Sequence, residues 1–198
     1  RFGDFVTKSG RNTPYFVNTG NYRTGLQISR LGEFYAALVH EAVGGGFDAM
    51  FGPAYKGIPL VTTTAGALAR VHGVDKPFFF NRKEAKDHGN LVGYKPKDGD
   101  RVIIIEDVIT AGTAVREVMP ILRACGDIRV TDMFISVNRC EFGQNPQKTA
   151  IMEVEEEFGI RVHAIVTVRD IEEYLRGRED YAHLLPLMED YMSKYCLF

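Results

Sequence analysis

Cysteine is scarce in this chain. Cys125, Cys140 and Cys196 are the three in 198 residues; they are odd in number, far apart, and form no Cys-x-x-Cys pair. That pattern supplies neither a disulfide framework nor a zinc-ligand set, and it points to a reducing cytoplasm. Charge of one sign is lacking too. The formal net charge is −2, so nothing draws the chain as a whole to nucleic acid or to an anionic membrane, and neither is expected as a partner. No apolar run approaches the roughly 20 residues of a membrane span, and the start carries no signal-peptide pattern. Repeats, linkers and low-complexity tracts are missing as well. Residues 1–198 therefore read as one architectural unit, long enough for a single α/β domain with a full core. The chain opens at Arg1 without a Met, in what reads as organised sequence, and a leading helix is expected before it.

What is present centres on RVIIIEDVITAGTAVREV, residues 101–118. Four apolar residues, 102–105, make a β-branched run suited to a strand buried on both faces of a parallel sheet. Glu106 and Asp107 end it, the small residues Thr110, Ala111, Gly112 and Thr113 follow, and a helical run begins at Ala114. A small-residue loop opening a helix lets unpaired backbone N–H groups converge on an anion, and the helix dipole favours negative charge there. Carboxylates repel phosphate, so the acids call for hydroxyls or a cation. A sugar phosphate meets both demands, its ribose hydroxyls on Glu106 and Asp107 and its 5′-phosphate on the backbone of Thr110, Ala111, Gly112, Thr113 and Ala114. The loop has no Lys of a P-loop, and no G-x-G-x-x-G follows a strand, so two other nucleotide sites are set aside. The plain alternative is an acidic strand end followed by a Thr N-cap.

Along the chain, Lys8-Ser9-Gly10-Arg11 is a polar turn entering a short aromatic strand at residues 13–18, where Tyr15 and Phe16 would serve as core before ligand platform. From Leu31 the apolar spacing predicts a packing helix, with Ser29 as N-cap and Gly44 to Gly46 as its stop. Residues 47–51 read as a strand, and Gly52 to Pro59 as a loop whose glycines allow close ligand approach and whose Lys56 supplies a cation at a strand's carboxyl end. A merely connecting loop is the competing reading. Residues 60–71 form the next helix and Phe78-Phe79-Phe80 a buried strand. Asn81 to Gly89 carries Arg82, Lys83, Lys86 and His88 with little apolar content. Such a run is either a solvated face or a closing lid that neutralises a leaving group.

Thr113 is the expected cap of a helix that ends near Cys125-Gly126, with a kink or early break at Pro120. Residues 130–137 and 162–168 read as strands, with Asn138-Arg139 delivered to the same sheet edge. Glu153, Glu155, Glu156 and Glu157 read as a solvated helix face. The segment from Ile171 onward reads as amphipathic helices.

The residues 101–118 resemble the phosphoribosyl pyrophosphate signature of the type I phosphoribosyltransferases. With KSGRNTPYF, FGPAYKGIPL and FNRKEAKDHG in the same order, nearly the whole chain resembles the orotate phosphoribosyltransferase family. The resemblance implies an α/β fold with a twisted, mainly parallel sheet flanked by helices and a small N-terminal hood, its site above the strands' carboxyl ends. It implies attack of orotate on C1′ of phosphoribosyl pyrophosphate, giving orotidine 5′-monophosphate and pyrophosphate in pyrimidine synthesis, with Mg2+ held mainly by the substrate. The catalytic residues it implies are Lys86 foremost, with Asp107 and Lys8. Substrate contacts would come from Lys8 and Phe16 at the orotate end, Arg139 on the orotate side, and Tyr55, Lys56 and Arg82 at the pyrophosphate. Lys83, Lys86 and His88 resemble the mobile loop, and Glu106, Asp107, Val108, Ile109, Thr110, Ala111, Gly112, Thr113 and Ala114 the ribose-phosphate loop. In the family the mobile loop reaches the neighbouring subunit's site, which implies a homodimer.

Three departures stand out. His88-Gly89 runs straight into Asn90-Leu91-Val92-Gly93, where Glu-Gly-Gly is frequent, so the lid is either shortened or incompletely represented; the Met-less start favours the second. Asn138-Arg139-Cys140 replaces Asp-Arg-Gln, and Val17 follows Phe16 in place of a second Phe. Two other functions compete: a phosphoribosyltransferase for another base, and a nucleotide-sensing regulator of RNA or DNA contacts. The second calls for a basic face, which a slightly acidic chain that keeps its lid cations does not suggest.

Overall fold

The computed structural model describes residues 1–7, 10–83, 90–109 and 112–198. Its strands are β1 (Phe2–Val6), β2 (Asn12–Tyr15), β3 (Ala49–Gly52), β4 (Phe78–Asn81), β5 (Leu91–Gly93), β6 (Arg101–Ile105), β7 (Arg129–Asn138) and β8 (Arg161–Thr167). The α-helices are α1 (Gly25–Val43), α2 (Gly57–His72), α3 (Thr113–Arg123), α4 (Ala150–Phe158), α5 (Val168–Arg176) and α6 (Leu185–Tyr195).

The main sheet has the order β5-β4-β3-β6-β7-β8. Every pairing in it is parallel except β4 with β5. The apolar run of β6 is buried on both faces because its side chains alternate between two cores. Val102 and Ile104 pack with Val115, Leu122 and Val154 of α3 and α4, while Ile103 and Ile105 pack with Tyr35, Val39 and Leu68 of α1 and α2. The expected mainly parallel sheet flanked by helices is the one observed. A separate two-stranded sheet, β1 antiparallel to β2, supplies Tyr15 to a third core with Leu175 of α5 and Met188 and Tyr191 of α6. This hood is thus shared between the two ends of the chain.

Several boundaries differ from the sequence reading. Helix α1 starts at Gly25, because Thr24 and Gln27 form a reciprocal capping box; Leu26 is exposed there, so apolar periodicity did not mark that turn. Helix α2 starts three residues early, at Gly57, with Pro59 tolerated in its first turn. Gly112, in the left-handed region at φ 73°, is the N-cap of α3, and Thr113 is its first helical residue. That helix ends at Arg123, one turn after Pro120, short of Cys125-Gly126. Strands β1 and β5 carry no clear sequence signal, because both are short edge strands with weak alternation.

Candidate active site

Between β3 and β6 the chain reverses its direction of travel across the sheet: β3 leads outward to β4 and β5, and β6 to β7 and β8. Open α/β sheets bind ligands at the crevice such a switch creates beyond the strands' carboxyl ends. Two loops meet there. The first leaves β3 through Gly52-Pro53-Ala54-Tyr55-Lys56 and enters α2 at once. It is tightly drawn: a Cβ on Gly52 would lie 2.4 Å from the Gly57 carbonyl oxygen and 2.5 Å from Val61 Cγ1. The Ala54–Tyr55 peptide bond is cis, and the Ala54 N–H donates to Oδ1 of buried Asn81 at 2.8 Å. Tyr55 and Lys56 are left projecting.

The second loop begins with Glu106 and Asp107, which are 8% and 2% exposed. Their backbones prolong the β6–β7 ladder, since the Glu106 N–H donates to Phe134 O at 2.9 Å and Ser136 N–H donates to Asp107 O at 2.8 Å. The Tyr35 hydroxyl donates to Glu106 O at 2.7 Å, and the Ser136 hydroxyl to Asp107 O at 2.7 Å. The acids are therefore held by main-chain anchors, which leaves their carboxyls for other partners. Lys56 Nζ meets Asp107 Oδ2 at 2.8 Å. Asp107 Oδ1 is buried without a hydrogen-bond partner among the described residues. The Asp107 N–H donates to Glu106 Oε1 at 2.8 Å.

Burial raises the Glu106 pKa to about 7, with the Asp107 N–H opposing, the Asp107 charge adding, and Lys56 opposing. Beside Lys56 a cleft of about 280 Å³ opens, walled by Thr19, Tyr22, Thr24, Pro59 and Leu60.

Beyond Asp107, Val108 bridges to Val137 and Ile109 turns into the core, so both can serve a ligand chiefly through their backbone. Thr110 and Ala111 lie outside the described residues. Gly112 seats α3 against α4, where a Cβ would come within 2.9 Å of Val154 Cγ2. Among the described residues no side chain caps this N-terminus. The first-turn N–H groups, Thr113 and Ala114 included, lie where an anion is favoured.

Of the cationic stretch, Arg82 and Lys83 are described and exposed. The Arg82 N–H donates to Asn90 O at 2.7 Å, closing the base of the segment, and Lys83 Nζ lies 5.4 Å from the Tyr55 ring centroid. Lys86 and His88 fall outside the described residues, as does Lys8. Phe16, 38% exposed, contacts the Phe5 ring at 5.6 Å. Arg139 is turned into the hood core, where Nε donates to Glu141 Oε1 at 2.9 Å and Nη2 to Tyr191 OH at 3.0 Å. Sequence reasoning brought Lys56 and Asp107 to one sheet edge. It missed Tyr35, Asn81 and Ser136, buried residues that hold the site loops from behind, and Glu141, which gathers Arg139 and Tyr191 in the hood; Tyr35 lies on the apolar stripe of α1, where periodicity marks packing alone.

A buried acid pair, a lysine on one of its carboxyls and the start of α3 thus follow one another at the crevice. Residues 18–131 match the phosphoribosyl transferase domain family, and the chain belongs to it. Over 181 residues it is 54% identical to the orotate phosphoribosyltransferase of Clostridium beijerinckii, covering 90% of this chain and 80% of that one. Over 198 residues it is 52% identical to the orotate phosphoribosyltransferase of Pseudomonas paraeruginosa, with 98% and 91% covered. The crystal structure of the Francisella tularensis orotate phosphoribosyltransferase superposes with a TM-score of 0.86 at 34% identity, over 100% of this chain and 94% of that one. Within the phosphoribosyltransferases, then, the chain is a member of the orotate phosphoribosyltransferase family.

Proposed function

We propose that this site transfers the ribose 5-phosphate group of phosphoribosyl pyrophosphate to orotate, giving orotidine 5′-monophosphate and pyrophosphate for pyrimidine nucleotide synthesis. The bond from orotate nitrogen to C1′ forms as the bond from C1′ to the pyrophosphate oxygen breaks, with inversion and with positive charge developing on the sugar ring. No covalent enzyme intermediate is needed. The chain's task is to position the sugar, stabilise the departing pyrophosphate and exclude water.

The observation that carries the reading is the Lys56–Asp107 pair at the β3–β6 crevice, at the head of the loop that leads into α3. Asp107 Oδ1, buried and without a partner among the described residues, is assigned a ribose hydroxyl, with Glu106 on its neighbour. Lys56, 54% exposed, can turn its ammonium toward the pyrophosphate, to which Tyr55 and Arg82 are also assigned. The 5′-phosphate is assigned to the backbone of Val108, Ile109, Thr110, Ala111, Gly112, Thr113 and Ala114. Lys8, Phe16 and Arg139 are assigned to orotate, and Lys83, Lys86 and His88 to the lid over the leaving group, with Lys86, Asp107 and Lys8 the catalytic set.

Magnesium takes hard oxygen donors, often only one or two of them from protein. Two adjacent carboxyls, one with an oxygen that has no partner among the described residues, fit an ion that arrives on the donor's pyrophosphate and hydroxyls. Bound there, it would neutralise charge on the pyrophosphate. We assign the chain to a homodimer through the exposed apolar residues Tyr22, Leu26 and Phe34, each lid serving the partner's site, and we assign its work to the cytoplasm.

The test is the ultraviolet absorbance of orotate on mixing protein, phosphoribosyl pyrophosphate and magnesium, with metal-free controls and controls containing adenine, hypoxanthine or uracil. Magnesium-dependent loss of orotate with release of pyrophosphate is expected. Transfer to another base instead would overturn the substrate.

A further inference from the structure

The hood encloses a polar cluster in which Arg139 alone has a part in the transfer reaction as assigned above; Glu141, Arg11 and Tyr191 have none. Glu141, 7% exposed, follows β7 by three residues and is reached by three donor residues. Arg139 reaches its Oε1 through Nε at 2.9 Å and through Nη2 at 2.8 Å. Arg11 reaches its Oε2 through Nη1 at 2.9 Å. The Tyr191 hydroxyl makes a short bond to Oε1. Arg139 Nη2 also donates to Thr13 Oγ1 at 3.2 Å, and its guanidinium lies 4.7 Å from the Tyr15 ring centroid. Arg11 is itself pinned, donating to Phe142 O at 3.0 Å and lying 4.2 Å from the Phe142 ring centroid. The cluster joins β2, the end of β7 and α6, which are far apart in sequence.

Two properties of this cluster go beyond packing. First, two guanidiniums share one carboxylate, so the cluster carries one surplus positive charge in a setting where an unbalanced charge is costly. Second, Nε and Nη2 of Arg139 are committed, whereas Nη1 has no partner among the described residues. An arginine fixed along one edge, with its remaining nitrogen unspent and a net charge unmatched, is prepared for one further anionic oxygen. Orotate brings such an oxygen in its carboxylate.

We propose that Glu141 is a positioning residue: it locks Arg139 through Nε and Nη2 so that Nη1 meets the orotate carboxylate, and Tyr191 of α6 and Arg11 hold Glu141 in turn. The inference rests on the assignment of Arg139 to orotate. It makes the C-terminal helix a determinant of acceptor recognition, although that helix supplies no residue to the substrate.

The test is steady-state kinetics of Glu141→Gln, Tyr191→Phe and Arg139→Gln, with thermal melting of each. Glu141→Gln is expected to raise the orotate KM about 10- to 100-fold, as for loss of an aligned charge-assisted hydrogen bond, with kcat and the phosphoribosyl pyrophosphate KM held within about threefold. Tyr191→Phe removes one hydroxyl without unbalancing charge, and it keeps the proposal testable should Glu141→Gln fail to fold. It is expected to raise the orotate KM about threefold to tenfold. In an Arg139→Gln background, Tyr191→Phe should add less than about twofold, because both act through the same guanidinium. Folded Tyr191→Phe with an unchanged orotate KM, alongside an impaired Arg139→Gln, would overturn the positioning role and leave Arg139 on orotate. An unchanged orotate KM in Arg139→Gln would overturn both.

Discussion

The two acids at the end of β6 occupy neighbouring positions and have different chemistry. Asp107 is paired with Lys56 through Oδ2, and its Oδ1 has no partner among the described residues, so Asp107→Asn removes a charged acceptor from the sugar and the counterion of Lys56. A charge-assisted hydrogen bond contributes about 1.5–3 kcal/mol, so kcat/KM should fall about 10- to 100-fold in a steady-state assay at saturating orotate. Unchanged kinetics would remove Asp107 from the site. Glu106 is governed by burial, which lifts its pKa to about 7 from the ordinary 4.5. The folded state therefore holds a proton that the unfolded chain releases between those values. The stability linked to that proton is fully present below about pH 4.5 and is lost as pH rises through about 7, a change on the order of 3 kcal/mol. Glu106→Gln cannot titrate. Its melting temperature relative to the parent protein should climb from pH 5 to pH 8 and then level off, and parallel melting curves across that range would show that Glu106 ionises normally.

At the scale of the element, the site depends on how loops enter helices. Gly112 holds φ 73° at the head of α3, where any L side chain is strained, and it has Val154 against it. Gly112→Ala should cost about 1 kcal/mol or more and tilt the first turn of α3. Differential scanning calorimetry should then show a lower Tm, and kinetics a rise in the KM for phosphoribosyl pyrophosphate larger than that for orotate; equal rises would argue against a phosphate seat there. The buried strands, the helix faces and the order strand, acids, small residues, helix were legible in the sequence because one short window encodes them. What was not legible depends on partners distant in the chain. Tyr35 looks apolar by position, and only the fold reveals its bond to the Glu106 carbonyl. The Glu run is solvated at Glu156 and Glu157 as read, but the sequence did not show that Glu155 accepts the Val162 N–H at 2.9 Å or that Glu157 pairs with Arg116 at 2.7 Å. Glu141 gave no local sign of gathering Arg11, Arg139 and Tyr191, since those residues lie up to 130 positions away.

Across the whole molecule, the surface of α1 favours association. Leu26 and Phe34 are 75% and 52% exposed on one helix, two turns apart, with Tyr22 just before it at 45%. Arg30 sits between Leu26 and Phe34 with its guanidinium 5.7 Å from the Phe34 ring centroid, and a strip of large exposed apolar side chains rimmed by charge suits a contact surface. If the strip joins two copies and each lid closes over its partner's site, the catalytic parts are divided between chains. Phe34→Glu should then shift the sedimentation coefficient to that of a monomer and lower turnover together. The division itself can be tested by mixing Asp107→Asn chains, defective in the sugar site, with Lys86→Ala chains, defective in the lid, under conditions that allow subunit exchange. In a two-fold dimer with lids in trans, each hybrid holds one site with both defects and one with neither. Random exchange makes about half the dimers hybrids, so about one quarter of the sites should regain full activity. With lids in cis, every site in a hybrid keeps one defect and the mixture stays at the level of its parents.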